Sequence, residues 1–184
     1  VYCLDLDGDQ LWHADVGKGV TGWGSSNSPV IYQNLVLINA SVESKSLVAL
    51  DKLTGDEVWR VDGMRQSWNT PLLVNFGRGK VEAVVVVSGQ ILGLEPKSGK
   101  ELWRSTGFGG YICPSPVAHD GIVYAIQGSA IAIRAGGRGD VSETHRLWET
   151  PGGSTVPSPV YHDGHLYWVR GGGTVSCLNV ANGE

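Results

Sequence analysis

Short apolar runs separated by turn residues follow one another along the whole chain. These runs are rich in β-branched and aromatic residues, as at positions 30–32, 35–38, 84–87, 122–126 and 166–169. No stretch carries apolar residues spaced by three and four positions over the length of a helix. The chain also holds 27 Gly and 8 Pro, which suits many tight turns. The pattern therefore predicts an all-β protein built from short strands.

Two markers recur along the chain with a common period of about 45 residues. One is a tryptophan that follows an apolar strand and a turn, found at Trp12, Trp59, Trp103 and Trp148. The other is a hydroxyl residue followed by proline, found at Ser28-Pro29, Thr70-Pro71, Ser115-Pro116 and Ser158-Pro159. Helical HEAT or armadillo arrays and propeller blades share this period. Because the runs within each repeat are typical of strands, they favour the propeller.

One repeat, at positions 27–61, shows how a blade is built. It contains four predicted strands, at 28–32, 35–40, 46–50 and 56–61. Pro29 is tolerated at the start of a strand, where its missing N–H group is not needed for the ladder. The sequence D-K-L-T-G at 51–55 supplies a tight turn. Four antiparallel strands in one unit predict a blade of a β-propeller.

The chain is predicted to be a single partial propeller domain, 1–184, with about four four-stranded antiparallel blades. Its parts are a blade tail at 1–15, blades at about 27–61, 69–105 and 113–150, and a partial blade at 157–184. Residues 1–6 and 175–180 both occupy the third-strand position of the repeat. The chain is therefore expected to form about half of an eight-bladed ring. The turn before Trp148 is longer than its equivalents by about six residues, and we expect this insertion only to lengthen a surface turn.

Two segments carry the residues of a known repeat. They read A-L-D-K-L-T-G-D-E-V-W at 49–59 and G-L-E-P-K-S-G-K-E-L-W at 93–103. Both closely resemble the repeat of the pyrroloquinoline-quinone-like propellers, a superfamily that includes quinoprotein alcohol dehydrogenases and the non-enzymatic, BamB-like outer-membrane assembly lipoproteins. The resemblance covers essentially the whole chain. It implies a bacterial protein in the periplasm or another extracytoplasmic location, and it implies that Trp12, Trp59, Trp103 and Trp148 dock onto the neighbouring blade.

Composition narrows the classes of partner. The chain has 14 Lys+Arg against 18 Asp+Glu, a formal net charge of −4, and no basic run, so nucleic acid is excluded as a partner. No apolar stretch approaches the ~20 residues of a membrane span. Asp5, Asp7 and Asp9 have the first spacings of a calcium-binding loop, but the glycine and the glutamate of that loop are missing from the required positions that follow. The histidines have no partner at ligand spacing, so no metal site is predicted.

The segments just before the first strands reach the central channel of a propeller of this kind. They carry the candidate partner-binding residues Trp23, Asn27, Trp68, Asn69 and Tyr111. Large aromatics on loops are typical of interaction hot spots. Their alternative role is to plug the channel or to pack between blades.

Chemistry of the dehydrogenase type would need other residues. The resemblance implies what such an enzyme would contain. The dehydrogenases of this superfamily have an adjacent cysteine pair over the quinone, Glu, Asn and Asp ligands for calcium, and a catalytic Asp. The chain has no adjacent cysteines, and the channel segments have no carboxylate. No cofactor is therefore expected, and Cys3 and Cys177, which replace Ala or Gly of other copies, are interpreted as small packing residues.

Three functions remain as hypotheses. The leading one is a non-catalytic scaffold for protein–protein interaction, with a protein or peptide partner on the propeller face. The first alternative is part of a quinone-dependent dehydrogenase whose cysteine pair and calcium ligands lie outside this segment. The second is a sensor propeller attached to a kinase or hydrolase.

Overall fold

The computed structural model describes residues 1–77 and 79–184, which form strands joined by turns and loops. Blades 1 and 2 comprise strands β1 (Tyr2–Leu4), β2 (Gln10–His13), β3 (Val30–Tyr32), β4 (Leu35–Ala40), β5 (Ser46–Asp51) and β6 (Glu57–Asp62). Blade 3 comprises β7 (Leu72–Asn75), β8 (Val81–Val87), β9 (Gln90–Leu94) and β10 (Glu101–Thr106). Blades 4 and 5 comprise β11 (Val117–His119), β12 (Ile122–Ile126), β13 (Ser129–Arg134), β15 (Arg146–Pro151), β16 (Val160–His162), β17 (His165–Val169) and β18 (Val175–Asn179). A short strand, β14 (Gly139–Asp140), lies between β13 and β15 in sequence.

The predicted fold class is confirmed. Blades 2, 3 and 4 each contain four antiparallel strands from their own repeat, blade 1 has two strands, and blade 5 has three. The first strands of successive blades contact one another, which places them on the inner side where the blades converge. The described residues contain no helix that is long and apolar enough to cross a membrane. The chain is therefore an all-β, partial propeller.

Strand alternation explains how each blade packs on two neighbours. Side chains of a strand point alternately to opposite faces of the sheet. In β4, Leu35 and Leu37 join the core shared with blade 3, whereas Val36 and Ile38 join the core shared with blade 1. A central strand buried on both faces is apolar at most positions, and this accounts for the long apolar runs of the sequence.

The two end blades leave apolar side chains in solvent. Leu4 and Leu11 of blade 1 are 55% and 62% exposed, and Val160 and Val175 of blade 5 are 62% and 68% exposed. Within the described residues, each buried core joins two successive blades, and none joins blade 1 to blade 5. The five blades consequently form an open arc with two exposed end faces.

The repeated hydroxyl residue before proline links successive blades through a hydrogen-bond ladder. The backbone N–H of Ser28 donates to Thr70 Oγ1, that of Thr70 donates to Ser115 Oγ, and that of Ser115 donates to Ser158 Oγ, each at 2.9 Å. Proline favours an extended conformation at the residue before it. The Ser/Thr-Pro pairs therefore hold the inner ends of blades 2 to 5 in a common register.

Removing one rung of this ladder should weaken the fold measurably. We expect Ser115→Ala to lower the free energy of unfolding by about 0.5–1.5 kcal/mol, because the N–H of Thr70 loses its acceptor. Ser115→Thr should restore stability, since Thr70 fills the equivalent position in blade 3. Ser28→Ala is the matched control, because the Ser28 hydroxyl accepts no hydrogen bond within the described residues. Urea denaturation checks the prediction, and equal midpoints for the two alanine variants would contradict it.

Three of the repeated tryptophans contact the next blade in one way. The indole Nε1 of Trp12 donates to Lys52 O at 3.0 Å, that of Trp59 to Pro96 O at 3.1 Å, and that of Trp148 to Val180 O at 2.8 Å. Each ring also lies against the turn glycine of that next blade. A Cβ atom on the glycines would approach the ring to 2.6 Å at Gly55 and 2.7 Å at Gly99.

Trp103 makes different contacts from the other three tryptophans. Its indole binds a glutamate that the insertion in blade 4 also contacts. Its ring is 0% exposed, and its Nε1 donates to the buried carboxylate of Glu82 at 2.7 Å. The ring also covers Gly93 in its own blade, where a Cβ atom would lie 2.0 Å from it. Glycine is therefore needed at the position that holds Ala or Cys in other copies.

The insertion does more than lengthen a surface turn, so that expectation is wrong. Its strand β14 pairs in parallel with β10 at Trp103 and Arg104, which gives blade 3 a fifth strand from blade 4. The N–H of Gly136 donates to Glu82 Oε2 at 3.0 Å, and Arg138 Nη1 pairs with Glu82 Oε1 at 3.1 Å. Three donors thus meet one buried carboxylate, and the insertion locks blades 3 and 4 together.

Candidate functional site

The loops before β3, β7 and β11 bring three aromatic rings into contact. The ring centroids of Trp23 and Trp68 lie 5.4 Å apart, those of Trp23 and Tyr111 lie 5.0 Å apart, and those of Trp68 and Tyr111 lie 5.7 Å apart. The sequence predicts each of these residues as a separate candidate, one from each repeat. The structure joins them into one group, which we name the aromatic cluster (Trp23, Trp68 and Tyr111).

Trp68 anchors the cluster, and the other two rings form its exposed surface. Trp68 is 4% exposed, and its Nε1 donates to Gly24 O at 2.8 Å, in the loop that carries Trp23. Its backbone N–H donates to Ile112 O at 2.7 Å, next to Tyr111. Trp23 and Tyr111 are 62% and 61% exposed. Both exposed rings are therefore fixed in place through Trp68 and its backbone.

The two candidate amides lie below this surface. Asn69 is fully buried, and its Nδ2 donates to Val86 O in β8. Asn27 is half-buried, and its Nδ2 donates to Asn39 O at 2.8 Å. The structure does not bring either amide to the exposed face of the aromatic cluster. Both support the loops from inside.

Sequence analysis missed a buried polar network that braces these loops. Asn39 Nδ2 donates to Asn69 O at 2.8 Å and to Ser67 Oγ at 3.0 Å. Ser41 Oγ donates to Ser67 O at 2.9 Å, and the N–H of Ser67 donates to Ser41 Oγ at 3.1 Å. A polar residue inside an unbroken apolar strand was the available signal, since buried polar groups need hydrogen-bond partners. The network ties the loop carrying Trp68 to the end of β4.

Three hollows meet at Tyr111, and together we name them the face groove. The first has a volume of about 470 Å³ and is lined by residues that include Lys45, Met64 and Arg65. The second, of about 240 Å³, lies between Thr21, Trp23 and Gln66. The third, of about 340 Å³, is lined by residues that include Cys113, Gln127 and Val156. Tyr111 lines all three, and Gln127 Nε2 donates to Tyr111 O at 2.6 Å.

The face groove is aromatic, neutral-polar and weakly basic. Its described lining contains Lys45 and Arg65 but no carboxylate. Partial burial raises the pKa of the Cys113 thiol, which keeps it protonated and a poor nucleophile at neutral pH. Nowhere in residues 1–77 and 79–184 do three His, Cys, Asp or Glu side chains gather as metal ligands. Calcium prefers several carboxylate and carbonyl oxygens, so these residues do not fit a calcium-bound quinone.

Comparison with known protein families assigns the chain to one of them. The family model described as outer membrane protein assembly factor BamB matches residues 1–184. BamB from Moraxella catarrhalis has a similar structure, with a TM-score of 0.68 and 20% identity over 96% of this chain and 51% of that one. The chain thus spans about half the length of that relative. A search of curated proteins found no match.

Two further structures share the fold. Quinohemoprotein alcohol dehydrogenase ADHIIG from Pseudomonas putida HK5 has a TM-score of 0.69 and 17% identity, covering 100% of this chain and 38% of that one. The computationally designed Ika4 protein has a TM-score of 0.63 and 16% identity, covering 88% of this chain and 96% of that one. Together with the family model, these matches confirm the resemblance to the pyrroloquinoline-quinone-like propellers. At such identities the structural likeness concerns the fold alone.

Proposed function

Because the chain belongs to the family of the outer membrane protein assembly factor BamB, we propose that it is a non-catalytic propeller scaffold for protein–protein interaction. The observation that carries this proposal is the exposed pair of Trp23 and Tyr111, held by the buried Trp68. Its binding surface is the face groove. The family description further favours a partner met at or near the outer membrane, in an extracytoplasmic location.

The physics of the aromatic cluster suits recognition of a protein segment. Tyr and Trp supply large contact areas at little conformational-entropy cost. Here the cost is reduced further, since the loops are tied to one another by Trp68 Nε1–Gly24 O, Trp68 N–Ile112 O and the Ser26 Oγ–Trp68 O bond of 3.2 Å. A surface that is already ordered before binding spends less free energy on ordering when a partner arrives.

The residues of the face groove argue against a quinone-dependent dehydrogenase activity as the function of this chain. The dehydrogenase neighbour shares the fold, but a shared propeller does not transfer its activity. A hydride-transfer site assisted by calcium requires acidic ligands and a base. The described lining of the face groove offers amide, hydroxyl, aromatic and cationic groups and one thiol instead. These groups favour binding over catalysis.

Selection from a displayed library of random peptides tests the proposal. We expect peptides recovered on the wild-type chain to bind the Trp23→Ala/Tyr111→Ala double variant at least about tenfold more weakly, because hot-spot aromatics carry most of the binding energy of an interface. Trp68 is left unchanged, since it is buried and its loss would disturb the loops.

Tyr2→Ala provides the matched control for this experiment. Tyr2 is 66% exposed, close to the 61% of Tyr111, but it lies on blade 1 outside the face groove. The control should bind the selected peptides as the wild type does. The proposal would be refuted if no peptide were enriched, or if the enriched peptides bound the double variant with undiminished affinity.

A further inference from the structure

Two cations at one end of the face groove have no acidic partner. Lys45 and Arg65 are both exposed, and neither forms an ion pair within the described residues. Arg65 makes a single long contact, from Nη1 to Ser88 O at 3.4 Å, which leaves most of its guanidinium donors available. Arg60, Arg104, Arg138 and Arg146 each pair with a glutamate, whereas Arg134 and Arg170, like Arg65, form no ion pair within the described residues.

The fold brings these two cations together. The N–H of Met64 donates to Lys45 O at 2.8 Å, so the residue before Arg65 is tied to the backbone of Lys45. Lys45 itself has a φ of 57°, a left-handed conformation that is uncommon for a residue with a side chain. Met64 is buried beneath them and belongs to the core between blades 2 and 3. The backbone positions of both residues are therefore set by the blade contact, and their side chains extend from it into solvent.

The cationic end is continuous with the aromatic cluster. Lys45 and Arg65 line the same hollow as Gln66 and Tyr111, and these last two also line the hollow that holds Trp23 and Trp68. The described lining of this path has no carboxylate, although the whole chain carries more acidic than basic residues, 18 against 14. Two cations on a lining without carboxylates favour a negatively charged ligand, and the neighbouring Asp62 accepts a hydrogen bond from Ser46 Oγ at 2.8 Å.

We propose that the face groove binds an extended, acidic segment of a partner protein, with apolar side chains on Trp23 and Tyr111 and carboxylates on Lys45 and Arg65. This inference rests on the proposed scaffold function and specifies the chemistry of its partner. Arg65 can hold a carboxylate with two parallel hydrogen bonds, whereas Lys45 acts as a point charge. The aromatic rings supply affinity, and the charges select the acidic sequence.

Three synthetic peptides test this selectivity. All share a Phe-Leu-Phe core, followed by three aspartates, three asparagines or three lysines, and their binding is measured by fluorescence polarisation. Because exposed ion pairs are individually weak, we expect the aspartate peptide to bind about three- to tenfold more tightly than the asparagine peptide. The lysine peptide should bind most weakly. The preference should shrink at high salt, which screens exposed charges.

Variants assign the preference to the two cations. Lys45→Gln/Arg65→Gln should bind the aspartate and asparagine peptides equally well, whereas Lys97→Gln/Lys100→Gln removes two exposed charges away from the groove's cationic end and should keep the preference. Equal binding of the aspartate and asparagine peptides to the wild type would overturn the inference and leave the scaffold function standing. Failure of all three peptides, together with failure of the library selection, would overturn both.

Discussion

Replacing Trp103 with alanine is expected to lower the free energy of unfolding by about 3–5 kcal/mol. Trp103 is fully buried in the core between blades 3 and 4. Its removal leaves a cavity there, and the carboxylate of Glu82 loses the indole N–H that lies 2.7 Å from it. Because Gly93 lies directly under the ring, no neighbouring side chain at that position can fill the space. Urea denaturation of the variant and the wild type gives the difference.

Trp23→Ala is the control for this prediction. Trp23 is 62% exposed, and its indole makes no hydrogen bond within the described residues. Its replacement should change stability by less than about 1 kcal/mol. If the two variants unfolded at the same urea concentration, the assignment of Trp103 as the central packing residue of this blade contact would be wrong.

Glu82→Ala should produce the second large loss, of about 2–4 kcal/mol, because it leaves buried donors without an acceptor. Glu82 is 1% exposed and accepts from Trp103 Nε1, Gly136 N and Arg138 Nη1. The loss is smaller than for a completely buried ion pair, since the Arg138 side chain is 63% exposed and can turn to water. Differential scanning calorimetry and urea denaturation measure the effect.

A surface ion pair in the same blade supplies the matched control. Glu101 pairs with Arg104 at 2.6 Å, and the side chains are 35% and 49% exposed. Glu101→Ala should therefore cost less than about 1 kcal/mol. Similar losses for Glu82→Ala and Glu101→Ala would show that the insertion in blade 4 does not lock the two blades.

The fold could be predicted because its signals are local and repeated. Trp12, Trp59, Trp103 and Trp148 mark one strand in each copy, and the apolar runs mark the others. Strand formation and turn formation depend on neighbouring residues. The same pattern of strands and turns therefore occurs in each of the four copies, and each copy supports the same prediction. Even the hydroxyl ladder had a visible marker in the Ser/Thr-Pro pairs, although the pattern alone does not show that one copy bonds to the next.

Contacts between repeats were harder to predict. Glu82 meets Arg138 across 56 positions of sequence, and neither residue belongs to the repeat motif. Trp23, Trp68 and Tyr111 were each identifiable as aromatics outside the docking position, but their convergence depends on the angle between blades. The sequence makes Asn69 a candidate partner-binding residue because it lies in a channel segment, whereas the structure buries it and its Nδ2 donates to Val86 O in a strand of the same blade.

The most direct test of the scaffold function is a calorimetric titration of the chain with two ligands. One is pyrroloquinoline quinone with calcium, and the other is a peptide selected on the wild-type protein. The account predicts saturable binding of the peptide, lost in the Trp23→Ala/Tyr111→Ala variant and retained in Tyr2→Ala, and no saturable binding of the quinone. Saturable, calcium-dependent binding of the quinone by the wild-type chain would contradict the account and favour the dehydrogenase function.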